Sequence, residues 1–432
     1  MSNSERDDSG IADLSAPAEA PERCPDAERF QRDLYLYWRV ARSAGGLSLS
    51  SRGALTKPAL RRIRSLLASM DGATPSGDPS EQEDMRVYFL RRLLERLSLL
   101  KRASEPVRVV AGPEADMERY LALSLTERLR LCARVWVAGG WWPDTPDAKS
   151  EPPRLMVPAS PRVALARKRL LDALAETSPG SERLFSTTPT PGPSAAGRPR
   201  RQSLSRPLRR MAESTTAGDE VTWRAALRGP LLWLGFVSPL EGEPDGTQYR
   251  VTAATLALRG EHGVALADSP ETVTIQSDFS IVAFPPLSPR TLLTLDQVAD
   301  ALALERTARY TLTRASFARA RQAGLDAATV VARLEAVTGS ALPGNVAVTL
   351  ADWTRASERV SLHEGVCLLE VAEARTLDAL LADRTAARWI TRRLTPTAAL
   401  VVAEHTGRVR GWLLRRGECP AMTEESSSGD QD

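Results

Sequence analysis

The stretch Val273–Ala301, VTIQSDFSIVAFPPLSPRTLLTLDQVADA, decides how this chain is read. Val273 and Ile275 alternate with polar residues, and Phe279, Ile281 and Val282 follow after a polar break. Apolar, β-branched residues in that rhythm predict strands. Pro285-Pro286 ends them, because proline gives a sheet no N–H to share. Apolar residues then recur at helical spacing, which predicts a helix over 289–304. Downstream, the pattern predicts helices over 313–323, 326–338 and 345–357. It then predicts a strand at Val366–Val371, a helix over 373–383, and another apolar run from Ala398 to Ala403. Strands and helices mixed in this order make residues 268–416 an α+β domain.

Upstream the chain is mostly helical. Phe30, Leu34, Tyr37, Trp38 and Ala41 share one helical face, and Leu47 and Leu49 alternate with serines after Gly45-Gly46. Thr56 and Pro58 mark a helix start carrying Leu60, Ile63 and Leu67. Further helices are predicted over 85–100 and 118–138, giving a helical, winged-helix-like domain over 27–145. The region 160–262 opens on a helix over 162–176 and carries a Pro/Arg-rich insert over 186–210. It closes with an apolar helix (221–235), Leu234-Gly235-Phe236-Val237, a turn-rich stretch, and Tyr249-Arg250-Val251-Thr252. A helix followed by a two-stranded hairpin is the order of a winged helix. Residues 1–26 and 417–432 are polar and acidic without periodicity, the composition of disordered tails.

The chain has 432 residues and a net charge of only +3, so no global field announces a polyanionic partner. Lysine stands only at 57, 101, 149 and 168, so nearly all of the 57 basic residues are arginine. That bias suits bidentate phosphate contacts and equally reflects a GC-rich genome. Cys24, Cys132, Cys367 and Cys419 include no C-x-x-C pair, which points to a reduced, cytoplasmic setting, including association with a nucleoid. Apolar runs such as Leu231–Val237 are far shorter than the roughly 20 residues a membrane span needs.

Catalytic motifs are scarce. No Gly-Lys dipeptide exists, so a Walker A loop lacks its phosphate-reaching lysine; G-x-G-x-x-G and G-x-S-x-G are also absent. His262, His363 and His405 stand alone, without metal-ligand spacing. Pro143-Asp144 with Asp147 and Lys149 echoes a metal-dependent nuclease motif, but sits in a Pro-rich loop instead of on adjoining strands. No catalytic, cofactor or metal residues are therefore assigned. Most tryptophans fall at helical core positions, while Trp141-Trp142 stays open between core and surface. The sharpest charge feature is RPRRQSLSRPLRR, with Arg198, Arg200, Arg201, Arg206, Arg209 and Arg210 and no acid. It reads as a phosphate-neutralising arm or as a solvated linker. Arg61 and Arg62 form a smaller patch, and Arg224, Arg228 and Arg250 belong to the predicted helix and wing.

Residues 270–415 resemble the N-terminal domain of XPB/Ssl2 helicases, the helicase-associated domain of bacterial proteins. The resemblance rests on the opening strand to Pro285-Pro286, Tyr310-x-Leu312-Thr313-x-x-Ser316, Ala323-Gly324-Leu325, Leu342-Pro343-x-Asn345-Val346 and Trp353. Upstream, LSLSSRGALTKPALRRI, LALSLTERLRLCARVWVAGGWW and LGFVSPL with YRVTAATLALRG resemble members of that family less specifically. The resemblance implies association with nucleic acid and with an XPB-like helicase subunit, in DNA repair or related work. The helicase motor itself is missing, so activity does not carry over with the likeness. The helix ahead of the wing is apolar, with only Arg224 and Arg228 suited to reach bases. The expectation is a non-catalytic DNA-binding accessory protein. A stand-alone winged-helix regulator, a protein-only adaptor and a nuclease using Asp144, Asp147 and Lys149 are the alternatives.

Overall fold

The computed structural model describes residues 23–81, 83–142, 159–177, 217–240, 249–259, 266, 268–358 and 366–416. The chain divides into two compact units, Met1–Trp353 and Thr354–Asp432. The fold is mixed α/β, mainly helical, with small antiparallel sheets.

The first unit is built around α1 (Pro25–Ser43). Proline and two acids in the first turn and Arg42 in the last suit the helix dipole. Phe30, Leu34, Tyr37, Trp38 and Ala41 are buried, and so are Tyr35, Leu36 and Val40 on other faces. A helix apolar nearly all round belongs in the middle of a core. It starts slightly before the compositional break, and Cys24 ahead of it is already buried.

After β1 (Leu47–Ser48) come α2 (Lys57–Met70), which starts behind Thr56 as expected, and α3 (Met85–Arg96). Asp84 caps α3 by accepting from the Val87 N–H at 3.1 Å. The helix expected to run to residue 100 stops at Arg96, because Ser98 turns left-handed (φ 60°) and β2 (Leu100–Ser104) begins. This strand pairs with β3 (Val107–Ala111), and the sheet order is β1-β3-β2.

The helix expected over 118–138 is two helices, α4 (Glu114–Ala122) and α5 (Leu125–Ala138). Ser124 and Glu127 form a capping box at the break, a local signal strong enough to restart a helix.

Next come α6 (Pro161–Ala175), α7 (Ala217–Leu227) and α8 (Pro230–Trp233). The apolar helix expected over 221–235 breaks at Gly229-Pro230, where proline cannot donate to the preceding turn. Strands β4 (Val237–Pro239) and β5 (Tyr249–Val251) pair antiparallel, and a 3-10 segment (Ala253–Leu258) follows. Gly235 enters this hairpin at φ +78°, and a Cβ there would lie 2.6 Å from the Ala27 backbone nitrogen. Gly235→Ala should therefore destabilise the unit by more than about 1 kcal/mol, since strain and collision add. A urea midpoint equal to wild type would refute this.

The unit closes with β6 (Thr272–Ile275), β7 (Ser280–Phe284), α9 (Pro289–Val298), β8 (Asp300–Leu304) and β9 (Ala308–Thr311). Helices α10 (Arg314–Gln322), α11 (Ala327–Thr338) and α12 (Gly344–Glu358) follow, and the boundary between the units falls within α12. The expected helix 289–304 ends at Val298. Ala299 is extended, and Asp300–Leu304 instead forms the edge of a β6-β7-β9-β8 sheet. Pairing with β9 overrides the helical propensity of its alanines and leucines. One apolar core runs from Cys24 to Leu350. Asp296 on α9 fastens this part to α1, accepting from Tyr35 Oη at 2.5 Å and from both Arg39 Nε and an Arg39 terminal nitrogen at 2.5 and 3.0 Å.

The second unit comprises β10 (Val366–Glu370), α13 (Ala374–Ala382), a 3-10 segment (Ala386–Trp389), β11 (Ile390–Thr395), β12 (Ala398–Val402) and α14 (Thr406–Arg415). Its sheet order is β10-β12-β11. Leu380, Ala386, Val401, Val409, Trp412 and Leu413 make its core.

Candidate nucleic-acid interface

The sequence-derived arginines scatter. Arg198, Arg200, Arg201, Arg206, Arg209 and Arg210 lie outside the described residues, as do Asp144, Asp147 and Lys149 of the nuclease motif. Arg61 and Arg62 are exposed on α2. Arg61 grips Asp78 at 2.7 and 2.9 Å, and its hydrogen bonds, with help from Lys57, hold that carboxyl down to about 2. Arg62 edges a shallow groove with Arg39, Ser65, Ser69 and Leu302. Arg224 is half-buried on α7. Arg228 at the end of α7 and Arg250 on β5 are exposed, and the Arg228 guanidinium hydrogen-bonds the Tyr249 hydroxyl. Burial pushes that phenol upward, and Arg228 pulls it partly back. Arg228 and Arg250 thus both lie beside Tyr249 of β5, while Arg61 and Arg62 stand on a different element.

Many arginines of the first unit serve inside the protein. On α3, Arg91 and Arg92 are buried, and Glu81 and Glu95 pair with them at 2.5–3.2 Å. Asp33, fully buried, meets Arg32 at 2.9 Å and also pairs with Arg86. Burial pushes the Asp33 carboxyl above its ordinary range, and Arg86 and Arg32 oppose that shift. The helix α3 has no free face for a DNA groove. Its aromatic residue Phe89 instead packs 5.4–5.8 Å, centroid to centroid, from Phe30, Trp141, Trp142 and Trp233. Trp141 and Trp142, open to either role in the sequence, are buried core residues.

The second unit differs in charge. Residues 366–416 hold nine arginines and five carboxylates, an excess larger than the net +3 of the whole chain. Arg375 pairs with Glu373, and Arg393 meets Asp378 at 2.6 Å. Arg384, Arg388, Arg392, Arg408, Arg410 and Arg415 are exposed. Sequence reasoning looked for contiguous basic runs and missed these, because they are spread over three elements and the loop before one of them. A windowed charge count would have found them. Asp383 organises the junction between the 3-10 segment and α14. Its carboxylate accepts from Trp412 Nε1 at 3.0 Å and from the Thr385 and Ala386 N–H groups at 2.8 and 3.1 Å. Those bonds, the Trp412 one foremost, hold it below the ordinary carboxylate range. The Arg416 guanidinium lies 4.2 Å from the centroid of the Trp412 ring.

Residues 273–395 match the family model of the helicase conserved C-terminal domain. That match relates the chain to helicases. It starts in β6 and ends with β11, so it crosses from the first unit into the second. No curated protein matches the chain at a significant level. The helicase-related stretch suggests an association with nucleic acid. Among the described residues no group of His, Cys, Asp and Glu could hold a metal ion, and no helix is long and apolar enough to cross a membrane.

Proposed function

We propose that the protein is a non-catalytic DNA-binding accessory factor of an XPB-type helicase or DNA-repair complex. The helicase match at residues 273–395 carries this reading. The XPB-like sequence pattern over the same stretch supports it. So does the order α1-β1-α2-α3-β2-β3 with a β1-β3-β2 sheet, the arrangement of a winged-helix module. The second helix-then-hairpin, α7 and α8 with β4 and β5, fits a further module of that kind. A chain without a Gly-Lys pair fits a role beside a motor better than the role of the motor.

The enclosure of α3 favours contacts to backbone phosphates over a helix reading bases in a groove. It thereby disfavours the alternative of a stand-alone operator-reading regulator. Fluorescence anisotropy on duplex, single-stranded and forked DNA, titrated in salt, tests the reading. The expected result is affinity falling linearly in a log–log plot against salt, by about 0.9 per duplex phosphate contacted. No binding to any of the three near physiological salt would overturn it and leave a protein-only adaptor.

A further inference from the structure

Resting on that reading, we propose that the phosphate-contacting surface is an arginine face of the C-terminal unit, made by Arg384, Arg388, Arg408 and Arg415. Its ligand is a nucleic-acid backbone. Of the five carboxylates in this stretch, Glu373 is engaged with Arg375, Asp378 with Arg393, and Asp383 with Trp412 and two backbone N–H groups, which leaves Glu370 and Glu404. All four arginines are exposed, and none reaches a carboxylate at ion-pair distance among the described residues.

The fold draws them together although the sequence separates them. The Asp383–Trp412 hydrogen bond ties the turn ahead of the 3-10 segment to the last turn of α14. Arg384 and Arg388 on one side of that tie, and Arg415 on the other, therefore share a junction. Along α14, Arg408 and Arg415 are separated by almost two helical turns, which places them on one face about 10 Å apart along the axis. Laid along a duplex axis, that span covers about three nucleotide steps of one strand, at roughly 3.4 Å each. Guanidinium forks match phosphate oxygens two at a time.

Gly411 lies between these two arginines on α14. A glycine inside a helix weakens it, and nothing within the described residues calls for one here. Its φ is not positive, and a Cβ would meet only the Arg415 guanidinium, at an ordinary 3.6 Å. At Gly407, one turn earlier, a Cβ would meet nothing within 4 Å. A bare helix surface between two exposed guanidinium groups lets a sugar–phosphate backbone come close. An acidic protein surface would offer carboxylates to the same groups, but the helicase match favours nucleic acid.

The test uses the full chain, a fluorescent DNA duplex and three variants. The first carries Ala at Arg384, Arg388, Arg408 and Arg415, and the second carries Ala at Arg200, Arg201, Arg209 and Arg210. The third is Gly411→Glu, which places a carboxylate between Arg408 and Arg415. Glutamate is a better helix former than glycine and stands correctly for an i,i+4 pair with Arg415, so the melting temperature should hold or rise. Its affinity should nonetheless fall at least tenfold. The first variant should lose about three to four from the log–log salt slope, at roughly 0.9 per contact. The second should keep both slope and affinity. Wild-type-like binding by the first and third variants, with the loss in the second instead, would overturn the inference. So would variants that bind DNA normally but lose retention on immobilised polyglutamate, which would assign the face to an acidic protein. A wild-type chain that binds no DNA would instead overturn the proposed function itself.

Discussion

Arg91→Met should lower the stability of the first unit by about 3–5 kcal/mol, the usual result of stranding a buried charge. The Arg91 side chain is 1% exposed and that of Glu81 is 0% exposed, with their atoms 2.5 and 2.9 Å apart. Burial works against the Arg91 charge, yet Glu81, Tyr37 and Glu95 together raise its pKa above the ordinary arginine value. Glu81 also accepts the Leu55 N–H at 2.6 Å, so it joins the entry to α2 with the middle of α3. Removing the guanidinium leaves this carboxylate with no charge partner in a dry setting. Combining Arg91→Met with Glu81→Gln should restore much of the loss, because the stranded charge goes too. Urea denaturation followed by tryptophan fluorescence would measure both. A single variant no less stable than the double would refute the account.

Phe89→Ala should cost about 3–5 kcal/mol, the range for emptying a large aromatic site. Phe89 is fully buried, and four aromatic rings stand within 5.8 Å of its centroid. Three of those rings belong to tryptophans from the turn beyond α5 and from α8, segments that the deletion would leave facing a cavity. The emission of the variant should therefore shift to the red before the unfolding transition begins. A loss under about 1 kcal/mol with unchanged emission would mean that the cluster closes over the gap.

Where local chemistry decides the outcome, the sequence could be read directly. The spacing on α1, the Thr56 start of α2 and the Pro285-Pro286 stop all reappear in the structure. Two of the misreadings share one cause. Leu100 and residues 300–304 have compositions that helices tolerate, and only pairing with the neighbouring strand of a hairpin makes them extended. Trp141 and Trp142 were ambiguous because their partners Phe89 and Trp233 come from distant parts of the chain. The charge pattern is only partly legible along the chain. A dense run such as 198–210 draws attention, whereas the segments that carry Arg384 and Arg415 are joined only by the Asp383–Trp412 bond.

The core that runs unbroken from Cys24 to Leu350 bears on how pieces of this protein behave. The helicase-related stretch begins inside β6 and stops at the last residue of β11. Cut there, its first part would lose α1, and Asp296 would face water without Tyr35 or Arg39. Its last part would lose β12, the central strand of its sheet, and all of α14. The segment that inheritance marks out is therefore not a segment that can be lifted out. A fragment drawn along the family boundaries would expose two unfinished interiors and aggregate, while one ending beyond Arg416 would keep the C-terminal interior closed.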